Sequence, residues 1–226
     1  MTRDVKPFRL EGLPLELRQL VYHFADLKTA AALQSNHLLD YISSTEIHAA
    51  PSLLNVSRKL RAESFPVVVE QNVVDITDVA YIHPLIDDYL KESQADMNLW
   101  CHIRMARINY DAVFITTDSL PSDFTRQILG ILQQCKHVER VEFYVSSDAL
   151  RKQKDGCLDV SGVADVLASL PALKEIHICW SLPKLSNTLS MRLYGLYLDW
   201  LENISLKLHT QMAEGNCSAA VELHGL

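Results

Sequence analysis

DMNLWCHIRMARINY (residues 96–110), ILQQCKHVERVEFYV (131–145) and VLASLPALKEIHICW (166–180) decide the fold of this chain, because they superimpose at a constant offset of 35 residues. Met97, Leu132 and Leu167 correspond, as do Trp100, Cys135 and Leu170, and then Ile103, Val138 and Leu173. Ala106, Val141 and Ile176 follow, then Ile108, Phe143 and Ile178, and finally Tyr110, Val145 and Trp180. Every one of these positions is apolar or aromatic. The first half of each unit has the three-residue spacing of a helix, and the end alternates with the period of two of a strand. Each unit is therefore the end of a helix, a tight connection and a strand. A shift of one residue in any unit would turn its strand residues to the wrong face, so the agreement constrains the register.

Three helix–strand units in succession predict parallel strands joined by crossover helices, either as an α/β (or α+β) sheet or as a short curved solenoid. After them, RLYGLYLDWLENISLKLHTQMAE (192–214) sets Leu193, Leu196, Tyr197, Trp200, Leu201, Ile204 and Leu208 on one helical face. That is the pattern of a long helix capping the end of a repeat. AAVELHGL (219–226) reads as a last edge strand or a fraying end.

The start of the chain is built differently. In LPLELRQLVYHFA (13–25), Leu13, Leu17, Leu20, Val21 and Phe24 form one apolar helical stripe, with Glu16, Arg18, Gln19 and His23 mostly off it. Pro14 suits the first turn of a helix, and Glu16 sits where the helix dipole favours a carboxylate. A second helix is expected in LLNVSRKLRAES (53–64), with Pro51 in its first turn and Leu53, Val56, Leu60 and Ser64 on one side. Pro66 is expected to end it, and VVVEQNVVDI (67–76) to follow as a strand. Arg61 falls on the side that would face the first helix, so Glu16 and Arg61 are expected to form a structural ion pair between the two.

On these residues the segment resembles a known family. L-P-x-E-L-x-x-x-V (13–21) is similar to the opening helix of F-box proteins, and V-S-R-x-L-R-x-E (56–63) to their later V-C-R-x-W-R stretch. Ser57 stands for the cysteine and Leu60 for the tryptophan. The variant looks closest to the F-box-like proteins abundant in filamentous fungi. The following units resemble the leucine-rich repeats that accompany many F-box proteins, although 35 residues exceeds the usual repeat and the consensus asparagine is absent.

The resemblance implies an F-box-like helical module over 8–76, with an insertion at 26–50 that has room for an extra helix around Lys28 to Tyr41. An α/β repeat-like domain would then occupy 77–226. It further implies that Leu13, Pro14, Leu17 and Val21 contact a Skp-type adaptor protein of a cullin–RING ubiquitin ligase, with an unknown protein substrate held elsewhere. The alternative is a self-contained scaffold or binding protein whose F-box-like helices are buried structurally. Exposure of the Leu13, Leu17 and Val21 face separates the two readings.

Composition narrows the rest. A formal charge of −7 does not suit a general nucleic-acid binder, and RKQK (151–154) is a short basic run in a loop-like stretch. The apolar fraction is 48% without a long uncharged run, so no membrane span is expected. MTRDVKPFRL lacks the apolar centre of a signal peptide. Five irregularly spaced cysteines suit free thiols in a reducing compartment, and a cytoplasmic or nuclear location is expected.

Catalytic signals are absent: no G-x-S-x-G elbow, no G-x-G-x-x-G and no P-loop occurs, and seven glycines leave little material for a phosphate cradle. Asp87 and Asp88 are adjacent and would point apart. His177 with Cys179, and Cys135 with His137, are the nearest approach to a metal motif, but neither pair has C-x-x-C or H-x-x-x-H spacing. The sequence therefore reads as a non-enzyme with no cofactor and no assigned metal site.

Overall fold

The structure is a computed structural model that describes residues 10–25, 27, 32–34, 58–80, 99–109, 123–145, 161–180, 188–215 and 217–225. Its elements in chain order are α1 (Leu15–Phe24), α2 (Arg58–Gln71), β1 (Val73–Asp75), α3 (Ile76–Ala80), β2 (Met105–Asn109), α4 (Asp123–Gln134), β3 (Arg140–Val145), α5 (Ser161–Ala168), β4 (Glu175–Trp180), α6 (Thr188–Glu214) and β5 (Ala220–Gly225). Short 3-10 turns precede α1 at Leu10–Gly12 and β2 at Leu99–His102.

The five strands form one sheet in the order β1-β2-β3-β4-β5, and every neighbouring pair is parallel. A sequential order means that each crossover steps one strand further in the same direction. Right-handed crossovers in such a sheet carry their helices to a single face. The residues agree. One face holds the rows Val74, Ala106, Val141, Ile176, Val221 and Ile108, Phe143, Ile178, Leu223. All of these are fully buried except Val221 and Leu223 on β5, which are half-buried. Ile128, Ile131 and Leu132 of α4, Val163 and Leu167 of α5, and Leu201, Ile204, Leu208 and Met212 of α6 share their core.

The 35-residue correspondence survives down to single hydrogen bonds. Ala106 pairs with Val141 and Val141 with Ile176; Ile108 pairs with Phe143 and Phe143 with Ile178. In the connections, Cys135 N donates to Leu132 O at 3.0 Å and Leu170 N to Leu167 O at 3.1 Å. Glu139 N and Arg140 N both donate to Arg104 O, and Lys174 N and Glu175 N both donate to Glu139 O, at the same 2.8 and 3.1 Å. These backbone bonds of the helix-to-strand turn thus recur at the 35-residue offset. Met97 and Tyr110 lie outside the described residues. In α6, the expected apolar face is buried from Leu201 onward, and the side chains of Leu193, Leu196, Tyr197 and Trp200 lie outside the description.

The region around Pro66 corrects the sequence reading. The helix does not stop there: α2 runs through Pro66 to Gln71, and the strand expected over 67–76 is reduced to Val73–Asp75. An internal proline costs a helix about 3 kcal/mol, because it removes one backbone bond and crowds the preceding turn. Against it stand Phe65, Val67, Val68 and Val69, all at most 4% exposed. Burial of each such side chain is worth roughly 1.5–3 kcal/mol, far more than the propensity deficit of valine in a helix. Asn72 then ends the helix, its buried side-chain amide donating to Val68 O at 2.7 Å and Leu27 O at 2.9 Å. Asp75 caps α3, accepting from Asp78 N at 3.1 Å.

The 26–50 insertion is described only at Leu27 and at 32–34, and there it is not helical. Leu33 makes a parallel bridge to Val74, donating to Val73 O at 2.7 Å and accepting from Asp75 N at 2.9 Å. In the stretch with room for an extra helix around Lys28 to Tyr41, Leu33 instead extends the sheet edge, and residues 28–31 and 35–41 lie outside the described residues. The bridge supplies backbone partners to β1, whose outer side would otherwise carry unpaired N–H and C=O groups.

Candidate functional site

The first helix faces the wrong way for an ordinary surface helix. Its buried residues are Arg18 and Tyr22, which pack toward α2, while Leu15, Leu17, Leu20, Val21 and Phe24 are between 38% and 86% exposed. The inner contact is polar and specific. The Arg18 guanidinium forks onto Glu63, with Nε to Oε2 at 2.7 Å and Nη2 to Oε1 at 2.8 Å. Its Nη1 donates to Leu13 O and Glu11 O, fixing the turn that leads into the helix. The Tyr22 hydroxyl donates to Glu63 Oε2 at 3.2 Å.

The electrostatics follow from this geometry. Hydrogen bonding from Arg18 holds the Glu63 carboxyl below the usual carboxylate range, against the opposing effect of burial. Burial, with the Glu63 charge beside it, pushes the Tyr22 hydroxyl up to about 12. A planar, permanently charged fork on a carboxylate gives direction as well as attraction. It fixes the rotation of α1 about its axis, and that rotation points the apolar stripe at solvent. Gln71 ties the far end of the helix, donating to His23 O at 3.2 Å and accepting from Leu27 N at 3.1 Å.

Among the residues expected to contact an adaptor, Pro14 is exposed, Leu17 is 47% and Val21 38% exposed, and Leu13 is half-buried. Leu17 and Val21 lie one turn apart on the exposed side of α1, and Leu13 and Pro14 lie in the turn that leads into it. The ion pair expected between Glu16 and Arg61 has Glu16 exposed, and the Arg61 side chain lies outside the described residues. The ion pair seen between these two helices joins Arg18 and Glu63, with the charges exchanged between the helices.

The second surface is the sheet face opposite the helices. Its central row reads Asp75, Arg107, Glu142, His177, Glu222 across the five strands, so basic and acidic groups alternate. Arg107 donates through Nε and Nη2 to Glu142 Oε2 at 3.1 and 2.9 Å, and Arg140 Nε lies 3.4 Å from Glu142 Oε1. Opposite charges on neighbouring strands stabilise such a face. Desolvation raises the Asp75 carboxyl above its ordinary range.

The two Cys–His pairs weighed in the sequence separate in space. Cys135 is buried on the helix side with its thiol donating to Ile131 O at 3.3 Å, and burial pushes that thiol up to about 12, whereas His137 is exposed. Cys179 and His177 do share the polar sheet face, and burial raises the Cys179 thiol. The sequence did not show that β5 brings Glu222 and His224 beside them. The signal was the alternating E-L-H in the last segment, but its partner strand cannot be read without the crossover through α6. Asp87, Asp88 and the RKQK run lie outside the described residues.

No helix among the described residues is long and apolar enough to cross a membrane. Comparison with known proteins adds no relative: no protein-family model, no curated protein and no solved structure matches the chain.

Proposed function

We propose that this protein is a protein–protein interaction module of the F-box-like kind, a candidate substrate-receptor subunit of a cullin–RING ubiquitin ligase acting in the cytoplasm or nucleus. In this reading α1 docks on a Skp-type adaptor through Leu13, Pro14, Leu17 and Val21, and the α/β region presents the surface offered to a protein substrate. It has no catalytic residues of its own.

One observation carries the reading: the apolar stripe of α1 is turned outward by a part-buried Arg18–Glu63–Tyr22 network. A contiguous apolar stripe held in water is unfavourable for an isolated chain and is the usual mark of an interaction surface. The same observation weighs against the alternative, a scaffold with both helices spent internally. Only α2 fits that description, since Leu60, Phe65 and Val67 to Val69 are buried.

The test is co-purification of the chain with the adaptor, comparing wild type with the double variant Leu13→Ala/Pro14→Ala. Recovery of adaptor with wild type and its loss with the variant supports the reading. A wild-type sample that brings down no adaptor overturns it.

A further inference from the structure

On the polar sheet face, β4 and β5 bring three metal-competent side chains to one point. His177 of β4 is paired in register with Glu222 of β5, and His224 lies two residues further along β5 on the same face. The two imidazole rings have centroids 4.3 Å apart at an interplanar angle of 36°. Glu222 Oε2 is 3.2 Å from His224 Nε2 and 3.8 Å from His177 Nε2, and one ligand atom from each of the three residues lies within 4.8 Å of the other two. In a tetrahedral zinc site with bonds near 2.0–2.1 Å, ligand atoms stand about 3.4 Å apart. The cluster is therefore within a small side-chain rotation of that spacing, on two strands whose backbones are already fixed.

A second observation concerns His177 itself. Its Nε2 atom is shut off from solvent and makes no hydrogen bond, although carboxylate oxygens of Glu175 and Glu222 stand 3.3 and 3.8 Å away. A ring nitrogen placed between two carboxylates without satisfying either, beside a second imidazole, has the surroundings of a ligand. Of the nearby arginines, Arg107 is engaged by two hydrogen bonds to Glu142, and Arg140 donates through Nη2 to Met105 Sδ at 2.9 Å.

We propose that His177, Glu222 and His224 form a binding site for a first-row divalent cation, zinc being the best fit. Two imidazole nitrogens and one carboxylate oxygen are the donor set that zinc takes, with water or the Glu175 carboxylate completing four-coordination. The bound ion clips the edge strand β5 to β4 and closes that end of the sheet. The inference stands apart from the docking role of α1, which it neither needs nor supports.

The experiment uses the full chain without a histidine tag, stripped with chelator, titrated with zinc chloride in a calorimeter and with cobalt(II) in a spectrophotometer. One equivalent should bind, cobalt should give the visible bands of a low-coordinate site, and the unfolding temperature should rise with zinc concentration. His177→Ala and His224→Ala should each weaken binding by more than the roughly 10–100-fold typical of losing an outer-shell partner. His209→Ala, an exposed histidine on α6, should bind as wild type does. Far-UV circular dichroism shows whether each variant is folded, and the cobalt spectrum of the wild type tests the site without any variant. Failure of wild type to bind one equivalent, or binding that the His177 and His224 variants leave unchanged, overturns the proposal.

Discussion

α1 and α4 are both amphipathic helices of similar length, yet they are mounted in opposite senses. α4 turns Ile128, Ile131 and Leu132 to the core and leaves Asp123, Arg126 and Gln133 in water. α1 buries Arg18 and Tyr22 and leaves Leu17, Leu20, Val21 and Phe24 outside. Periodicity therefore reports that a helix has two faces, and it does not report which one meets the core. For α4 the opposing surface is an apolar sheet, and burial decides. For α1 the opposing surface is a helix carrying Glu63, and a forked arginine decides.

The largest contrast should appear in stability. Ile131→Ala in α4 removes a side chain that is 1% exposed and should cost about 2–5 kcal/mol in urea denaturation. Leu17→Ser in α1 should stay within about 0.5 kcal/mol of wild type, since the side chain is nearly half exposed. Equal losses from the two substitutions would break the comparison.

A smaller, local effect is expected at the polar seam. Arg18→Ala and Glu63→Gln should each speed amide exchange in α1 while leaving β2 to β4 protected, because only the helix mount is lost. The same seam should respond to acid. The Glu63 carboxyl is held low in the folded chain, so its contribution is present above the ordinary carboxylate range and is lost as pH falls through the depressed value. α1 should thus loosen before the sheet as pH falls below the ordinary carboxylate range, and this pH dependence of α1 should vanish in Glu63→Gln, whose α1 exchanges fast throughout. Uniform exchange across α1 and the sheet at that pH would contradict the mount.

The thiols give the mildest probe. Cys135, fully buried with its thiol pushed up to about 12, should resist a thiol reagent at neutral pH until the chain unfolds, while the partly exposed Cys101 and Cys217 react in the native state. Early labelling of Cys135 would mean that the α4–β3 connection opens locally.

The repeat was legible in the sequence because it is redundant: Ala106, Val141 and Ile176 state the same position three times, and the sheet pairs them in that register. β1 was less legible. The valines before and within it look like one strand in isolation, but the fold buries Val67 to Val69 inside a helix and grants the strand three residues. The outward stripe of α1 was visible as a stripe, whereas its direction depended on a contact between Arg18 and Glu63 across 45 residues. The His177, Glu222 and His224 cluster was hidden for the same reason. Each residue is ordinary on its own strand, and only the pairing of β4 with β5 makes them neighbours.

The central claim is that the apolar face of α1 is spare in the folded chain and committed to a partner. Its most direct test is the affinity of purified Skp-type adaptor for wild type and for Leu17→Asp/Val21→Asp, measured beside the urea midpoint of each. The account predicts binding that the variant loses while its midpoint stays where wild type has it. A midpoint that collapses with the variant would show the face to be core, and binding that persists in a folded variant would place the partner elsewhere.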